Sequence, residues 1–245
     1  MTRKRTLVIT ILVLLAASVV TASIMLSGKR DNIPSPGTSL GTNAEGFAIS
    51  PVVAGAGGTA LGPDGVTPIG YPPTCEGAYA AAINYRKAIQ TTDSNWPKVR
   101  ETLLQISADP QALASRLEIT DELVEQYGMG NYVSADTQTL GIFKPLECEA
   151  GKSALLLVSD VSTLHYPESN PSVMVQAAPV KVVWQNGDWK FASTPSLEST
   201  EFLSLELQAD TAPAMTPEII NALFTANDGQ AISREGWLVV NNASR

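Results

Sequence analysis

Leu7 to Leu26 (LVITILVLLAASVVTASIML) is a run of twenty residues without a charged side chain. A helix of that length rises about 30 Å at roughly 1.5 Å per residue, matching the hydrocarbon thickness of a bilayer. Arg3, Lys4 and Arg5 precede the run, and Lys29 and Arg30 follow it. A short basic tip stays in the cytoplasm, and a long downstream region translocates largely regardless of its flanking charge. The sequence therefore predicts a cytoplasmic tip over 1–6 and a transmembrane helix over 7–26. Everything after it lies outside the cytoplasm, as in a single-pass protein of the cell membrane. A cleavable signal peptide is the competing reading, with Val20-Thr21-Ala22 as a small-residue cleavage site. Apolar character continues past that site through Ile24-Met25-Leu26, which favours an uncleaved anchor.

Charge narrows the partners. Five of the 16 Lys and Arg residues lie within the first thirty positions, which hold none of the 24 Asp and Glu. The remaining 11 basic against 24 acidic residues leave the rest of the chain at −13. Such a surface, with no basic cluster, repels phosphate backbones, so direct nucleic-acid binding is excluded. Both cysteines, Cys75 and Cys148, lie in this outer part. In an oxidising compartment a lone pair is most simply a disulfide.

Residues 27–73 are dominated by Gly, Pro, Ser, Thr and Ala and show no apolar period, which predicts a flexible linker. Phe47, Ile49, Val52 and Val53 are its exception, suited to a short edge segment docked on the domain. From Thr74 the pattern changes. Thr74 is a suitable N-cap, and Ala78, Ala81, Ala82, Tyr85 and Ile89 recur at helical spacing. A second helix starts near Trp96-Pro97, a third runs from Asp109-Pro110 to Leu117, and Thr120 caps a fourth over 121–127. Strand-like stretches then cover 137–149, 153–166 and 173–185, with Pro145 and Pro179 expected at bulges or edges. Asn186-Gly187 between VKVVWQ and DWKFAS predicts a type I′ hairpin that sets Val182 and Trp184 near Trp189 and Phe191. Helices followed by antiparallel strands make an α+β domain over 74–195 with its helices on one face of the sheet, and a C-terminal extension over 196–245. In that extension Glu201–Gln208 fits helix or strand, Thr216-Pro217-Glu218 starts a helix, and 236–240 fits a last strand.

The stretch GYPPTCEGAYAAAINY (Gly70 to Tyr85) resembles a segment of actinobacterial single-pass membrane proteins. Helices followed by a curved antiparallel sheet ending in WQNGDWK resemble the nuclear transport factor 2-like (NTF2-like) fold, over roughly Cys75 to Thr194. That resemblance implies an extracytoplasmic scaffold, as in conjugation and type IV secretion machines. The partners it implies are the membrane, other envelope or secretion-machine proteins, and a second copy of the chain as homo-oligomer. It carries over no site residue.

No motif of the sequence assigns catalytic, cofactor or metal residues, and the chain reads as a non-enzyme. His165 is the sole histidine and has no partner, which suits a surface or core position. Asp160 and Glu147 fall on strands, where alternation expects a solvated face. Gly55-Ala56-Gly57-Gly58 has no flanking strand and helix to make a phosphate cradle. Asn242-Ala243-Ser244 fits a glycosylation triplet. Trp184 and Trp189 suit either core or an exposed ledge. The alternatives to an anchored scaffold are a ligand-binding or enzymatic cone outside the cell, and a secreted domain released at Ala22.

Overall fold

The two longest strands, β6 (Ser153–Leu164) and β7 (Ser172–Gln185), pair antiparallel along their length, from Ser153 opposite Val183 to Leu164 opposite Ser172. The computed structural model describes residues 39–92, 95–127, 133–164, 172–194, 203–207, 209, 214–226 and 228–243. Around the central pair lie β1 (Ala48–Ile49), β4 (Val133–Asp136), β5 (Ile142–Glu149), β8 (Asp188–Ala192), β9 (Ser204–Leu207) and β10 (Leu238–Val239). Their order is β1-β10-β5-β6-β7-β8, while β4 pairs with β6 and β9 with β7. All pairings in this sheet are antiparallel except β1 with β10. A separate two-stranded ribbon joins β2 (Ala60–Leu61) to β3 (Pro68–Ile69).

Side chains of β6 and β7 alternate between two cores. Ala154, Leu156, Val158, Val180 and Val182 face helices α1 (Cys75–Ile89), α2 (Trp96–Ile106) and α3 (Pro110–Tyr127). Leu157, Val161, Val173, Val175 and Ala177 face the opposite way, against Phe47, Leu203, Met215, Trp237 and helix α4 (Pro217–Leu223) with its Ile220 and Leu223. A sheet covered on both faces needs apolar residues at odd and even positions alike. That is why SALLLVSDV shows almost no alternation.

Helix α1 begins where its cap signal placed it, with the Thr74 hydroxyl accepting from the Gly77 N–H at 3.1 Å. It is buried at nearly every position from Gly77 to Tyr85, so its alanines serve close approach rather than one stripe. The expected third and fourth helices are one continuous helix, α3. Asp121 explains the difference: its two oxygens accept from Trp96 Nε1 and Arg100 Nε on α2, both at 2.8 Å, so it ties helices together sideways. No Gly or Pro interrupts the chain there, and the Thr120 cap signal loses to tertiary packing.

The hairpin forms with Asn186 at φ 56° and Gly187 at φ 81°, pairing Trp184 with Trp189 and Val182 with Phe191. Pro145 stands at a register shift between β5 and β6. Pro179 lies in the gap between the β7 residues that pair with β8 and those that pair with β9, so its missing N–H breaks no ladder there.

The expected layout of membrane-spanning helix, flexible linker and NTF2-like domain is corrected in three respects. None of the helices among the described residues is long and apolar enough to cross a membrane. The longest, α3, carries Arg116, Glu118, Asp121, Glu122 and Glu125. The run 7–26 itself lies outside the described residues. The flexible linker is folded from Ser39 onward: Phe47, Val52, Ala54 and Tyr71 are buried and β1 belongs to the main sheet. Its glycine-rich composition serves close contacts rather than freedom; a Cβ on Gly70, at φ 78°, would collide with the Thr59 hydroxyl. Finally, helices do not cover one face alone, and the C-terminal extension is no appendage. It supplies α4 to the second face and inserts β10 between β1 and β5. What stands is an α+β architecture with a large, mostly antiparallel sheet.

Candidate functional site

Of the places where polar side chains come together, three border the main sheet. The first joins the stretch before α1 to the β7–β8 hairpin. Asp188, at the turn, accepts the backbone N–H groups of Gly70 and Tyr71 at 3.2 and 3.1 Å and that of Trp189 at 2.8 Å. The Trp189 indole N–H donates to the Pro72 carbonyl at 2.8 Å, and the Tyr85 hydroxyl donates to the Trp189 carbonyl at 3.1 Å. A Cβ on Gly77 would strike the same Pro72 carbonyl, so only glycine lets α1 start this close. Asn84 adds a second clamp: its amide donates to Tyr71 Oη at 2.7 Å and the Ala56 carbonyl at 3.1 Å, and its oxygen accepts from the Gly55 N–H. The Tyr71, Asn84 and Tyr85 side chains of GYPPTCEGAYAAAINY are thereby spent on holding the chain together. Burial drives the phenols of Tyr71 and Tyr85 well above the ordinary tyrosine range, with the Asp188 charge adding to the rise in both. They act as neutral hydroxyls.

Cys75 and Cys148 are joined as a disulfide between the first residue of α1 and β5, 73 positions apart. The bond sits beside the clamp, where the Pro73–Thr74 turn delivers the chain into the helix.

The second place is an ion pair on the helix-facing side of β6. Arg86 of α1 donates through Nε to Asp160 Oδ2 at 2.6 Å, and the Ser162 hydroxyl donates to Oδ1 at 2.7 Å. Asp160 is 0 % exposed and Arg86 6 %, so the solvated face expected for Asp160 is corrected. Its alternation places it beneath α1, and Arg86, the nearest cation on that helix, neutralises it. Glu147 is exposed, as a strand-face carboxylate should be. Gln176 lies opposite Asp160 and Ser204 opposite Gln176, carrying an amide and a hydroxyl along the same row. With both carboxylate oxygens engaged by Arg86 and Ser162, Asp160 is placed as a structural counter-ion.

The third place is a cleft of about 290 Å³ on the opposite face, between β5 and the loop that follows α4. Lys144 and Trp237 form one wall, Ala226, Asp228 and residues 230–233 the other, and Leu157 the floor. Nothing in the sequence flagged it, because Lys144 and Trp237 are far apart in the chain and meet only through the β5–β10 pairing.

The remaining sequence candidates are quickly placed. His165 lies outside the described residues. Trp189 is fully buried and stacks edge-on with Trp184 at 5.4 Å, so the pair belongs to the core. Asn242 is tied down at both ends of its amide, accepting from the Ala54 N–H and donating to the Ala54 carbonyl, which removes it as a glycan acceptor in the folded chain. Gly55 to Gly58 sit in the Asn84 clamp. No cluster of metal-ligating side chains occurs among the described residues.

No curated protein and no solved structure matches the chain. Residues 42–209 match the family described as Domain of unknown function (DUF8175). The matched region runs from the segment that leads into β1 to the end of β9, and so takes in both the hairpin clamp and the buried ion pair. The chain belongs to this family.

Proposed function

We propose that this chain is a non-enzymatic interaction protein that works outside the cytoplasm within an envelope assembly, delivered there by its N-terminal apolar run. The observation that carries the reading is the fate of its interior polar groups. Asp188, Asn84, Arg86 and Asp160 are each engaged with other parts of the same chain, and the sheet beneath α1 is filled by aliphatic side chains. A catalytic cone requires convergent polar groups around open space. The Cys75–Cys148 disulfide supports an oxidising compartment. The rigid β2–β3 ribbon, which presents Leu61 and Val66 at 57 % and 69 % exposure, supplies apolar contact surface for a protein partner.

In-cell photocrosslinking from Leu61 and Val66 tests this. Adducts with membrane or envelope proteins are expected, whereas adducts with cytosolic proteins alone would sink the proposal.

A further inference from the structure

The cleft above the second sheet face is built differently from the two clamps, because its charged groups are not used up. The Lys144 side chain, half-buried, makes no hydrogen bond or ion pair among the described residues. Its aliphatic stem lies across Gly236. Asp228 on the facing loop uses one carboxylate oxygen to accept the Gln230 N–H, and its other oxygen has no partner among the described residues. No ion pair joins the two across the space. The other nearby cation is committed elsewhere: Arg234 lies 5.4 Å over the Phe224 ring and donates to Asn221. Trp237, only 4 % exposed, has an indole N–H with no acceptor among the described residues. That N–H is not sealed from solvent either, since Ser159 Oγ is the one buried unpartnered side-chain atom among the described residues.

A cation and a carboxylate from different elements of one cleft, neither paired with the other and with aliphatic and indole surface beside them, describe the complement of a zwitterion with an apolar body. The size agrees. About 290 Å³ is near the lower end of small-molecule sites, which run from about 300 to 1,000 Å³. That is room for a metabolite and not for a folded segment. We propose that this cleft binds a free α-amino acid with a bulky apolar side chain. The ligand carboxylate meets Lys144 and the Trp237 N–H, its ammonium meets Asp228, and its side chain rests on Leu157 and Ile232. The groups involved are separate from those that carry the interaction reading, so the two stand or fall independently.

Calorimetric titration of the full chain with leucine, isoleucine, phenylalanine and tryptophan tests the proposal, alongside their N-acetyl forms and a peptide ending in the same residue. Saturable binding of at least one free amino acid is expected. Lys144→Met, which keeps the packed stem, should weaken it about tenfold or more. N-acetylation and Asp228→Asn should each weaken it several-fold, and together no further than either alone. Thermal midpoints of both variants report whether they fold, and Asp228 sits on an exposed loop where substitution leaves the core untouched. Absence of saturable binding overturns the proposal, as does affinity unchanged in both variants. Peptide or N-acetyl forms binding as tightly as the free amino acid also overturn it.

Discussion

The Asp188 carboxylate accepts the backbone N–H of Gly70 from a hairpin turn 118 residues further along the chain, and that of Tyr71 beside it. One side chain in a hairpin thus determines how the chain enters α1. Replacing it with alanine leaves those N–H groups without their anionic partner in a largely buried place. Asp188→Ala should lower unfolding free energy by about 3 kcal/mol, the scale of hydrogen bonds to a charged group plus the desolvation they leave behind. Asp188→Asn, which keeps one acceptor oxygen, should cost less. Urea unfolding followed by tryptophan fluorescence measures both.

The disulfide staples the same region covalently. On the chain-entropy account, closing a loop of 73 residues contributes about 4 kcal/mol. Cys75→Ser with Cys148→Ser should therefore lower stability by about that amount. The double variant should keep its fold under mild conditions, since the Pro72–Trp189 and Tyr85–Trp189 contacts remain. Denaturant midpoints with and without a reducing agent check this; equal midpoints would show that the bond adds nothing.

Arg86 and Asp160 should behave as a buried pair does. Arg86→Met alone strands a carboxylate under α1 and should cost about 3–5 kcal/mol. Arg86→Met combined with Asp160→Leu removes both charges and should recover much of that loss. A double-mutant cycle measures the coupling. If the double variant were as unstable as the sum of the singles, the pair would not be acting as a unit.

Stability should fall at both ends of the pH scale, for different residues. Burial, aided by the Glu76 charge, pushes the Tyr79 hydroxyl up to about 12, and burial raises Tyr71 and Tyr85 as well. The unfolded chain therefore gives up these protons first. Their contribution is intact below about pH 10 and is lost as pH climbs above it. Absorbance at the phenolate band should show these tyrosines ionising only with unfolding. Asp136 titrates in the opposite sense. Burial alone would raise its carboxyl, but hydrogen bonds from the Thr139 hydroxyl and the Gln138 and Thr139 N–H groups, helped by the Lys87 charge, hold it below the ordinary value. Its contribution is present above about pH 4 and is lost as pH falls further. Asp136→Asn should flatten that acid limb.

Local chemistry was readable from the sequence, and tertiary chemistry was not. Asn186-Gly187 needs positive φ at both turn positions and announces its hairpin with no help from elsewhere. Thr74 and Thr216 likewise cap the helices they precede. Within Ser39 to Pro73 the apolar residues Phe47, Ile49 and Val52 marked the docked edge segment that forms β1, whereas the rest hid its structure, because Ala54 and Tyr71 follow no period and dock through loops. Asp160 was misplaced because strand alternation says which side a residue faces and not whether that side meets water. Arg86, its partner, lies on a helix 74 positions earlier, a pairing that only the fold reveals. The Lys144 cleft was illegible for a related reason: its walls come from β5, the turn before β10 and the loop after α4.

The position of β10 bears on the order in which the molecule can be made. Leu238 and Val239 fill the slot between Ala48–Ile49 and Ile142–Phe143, so an early strand waits for almost the last one to be synthesised. Until then β1 has no neighbour on its inner side and the second core lacks Trp237 as a wall. A nascent chain stalled between residues 209 and 214 would carry the whole family-matched region and still expose apolar surface, making it a natural substrate for chaperones and proteases.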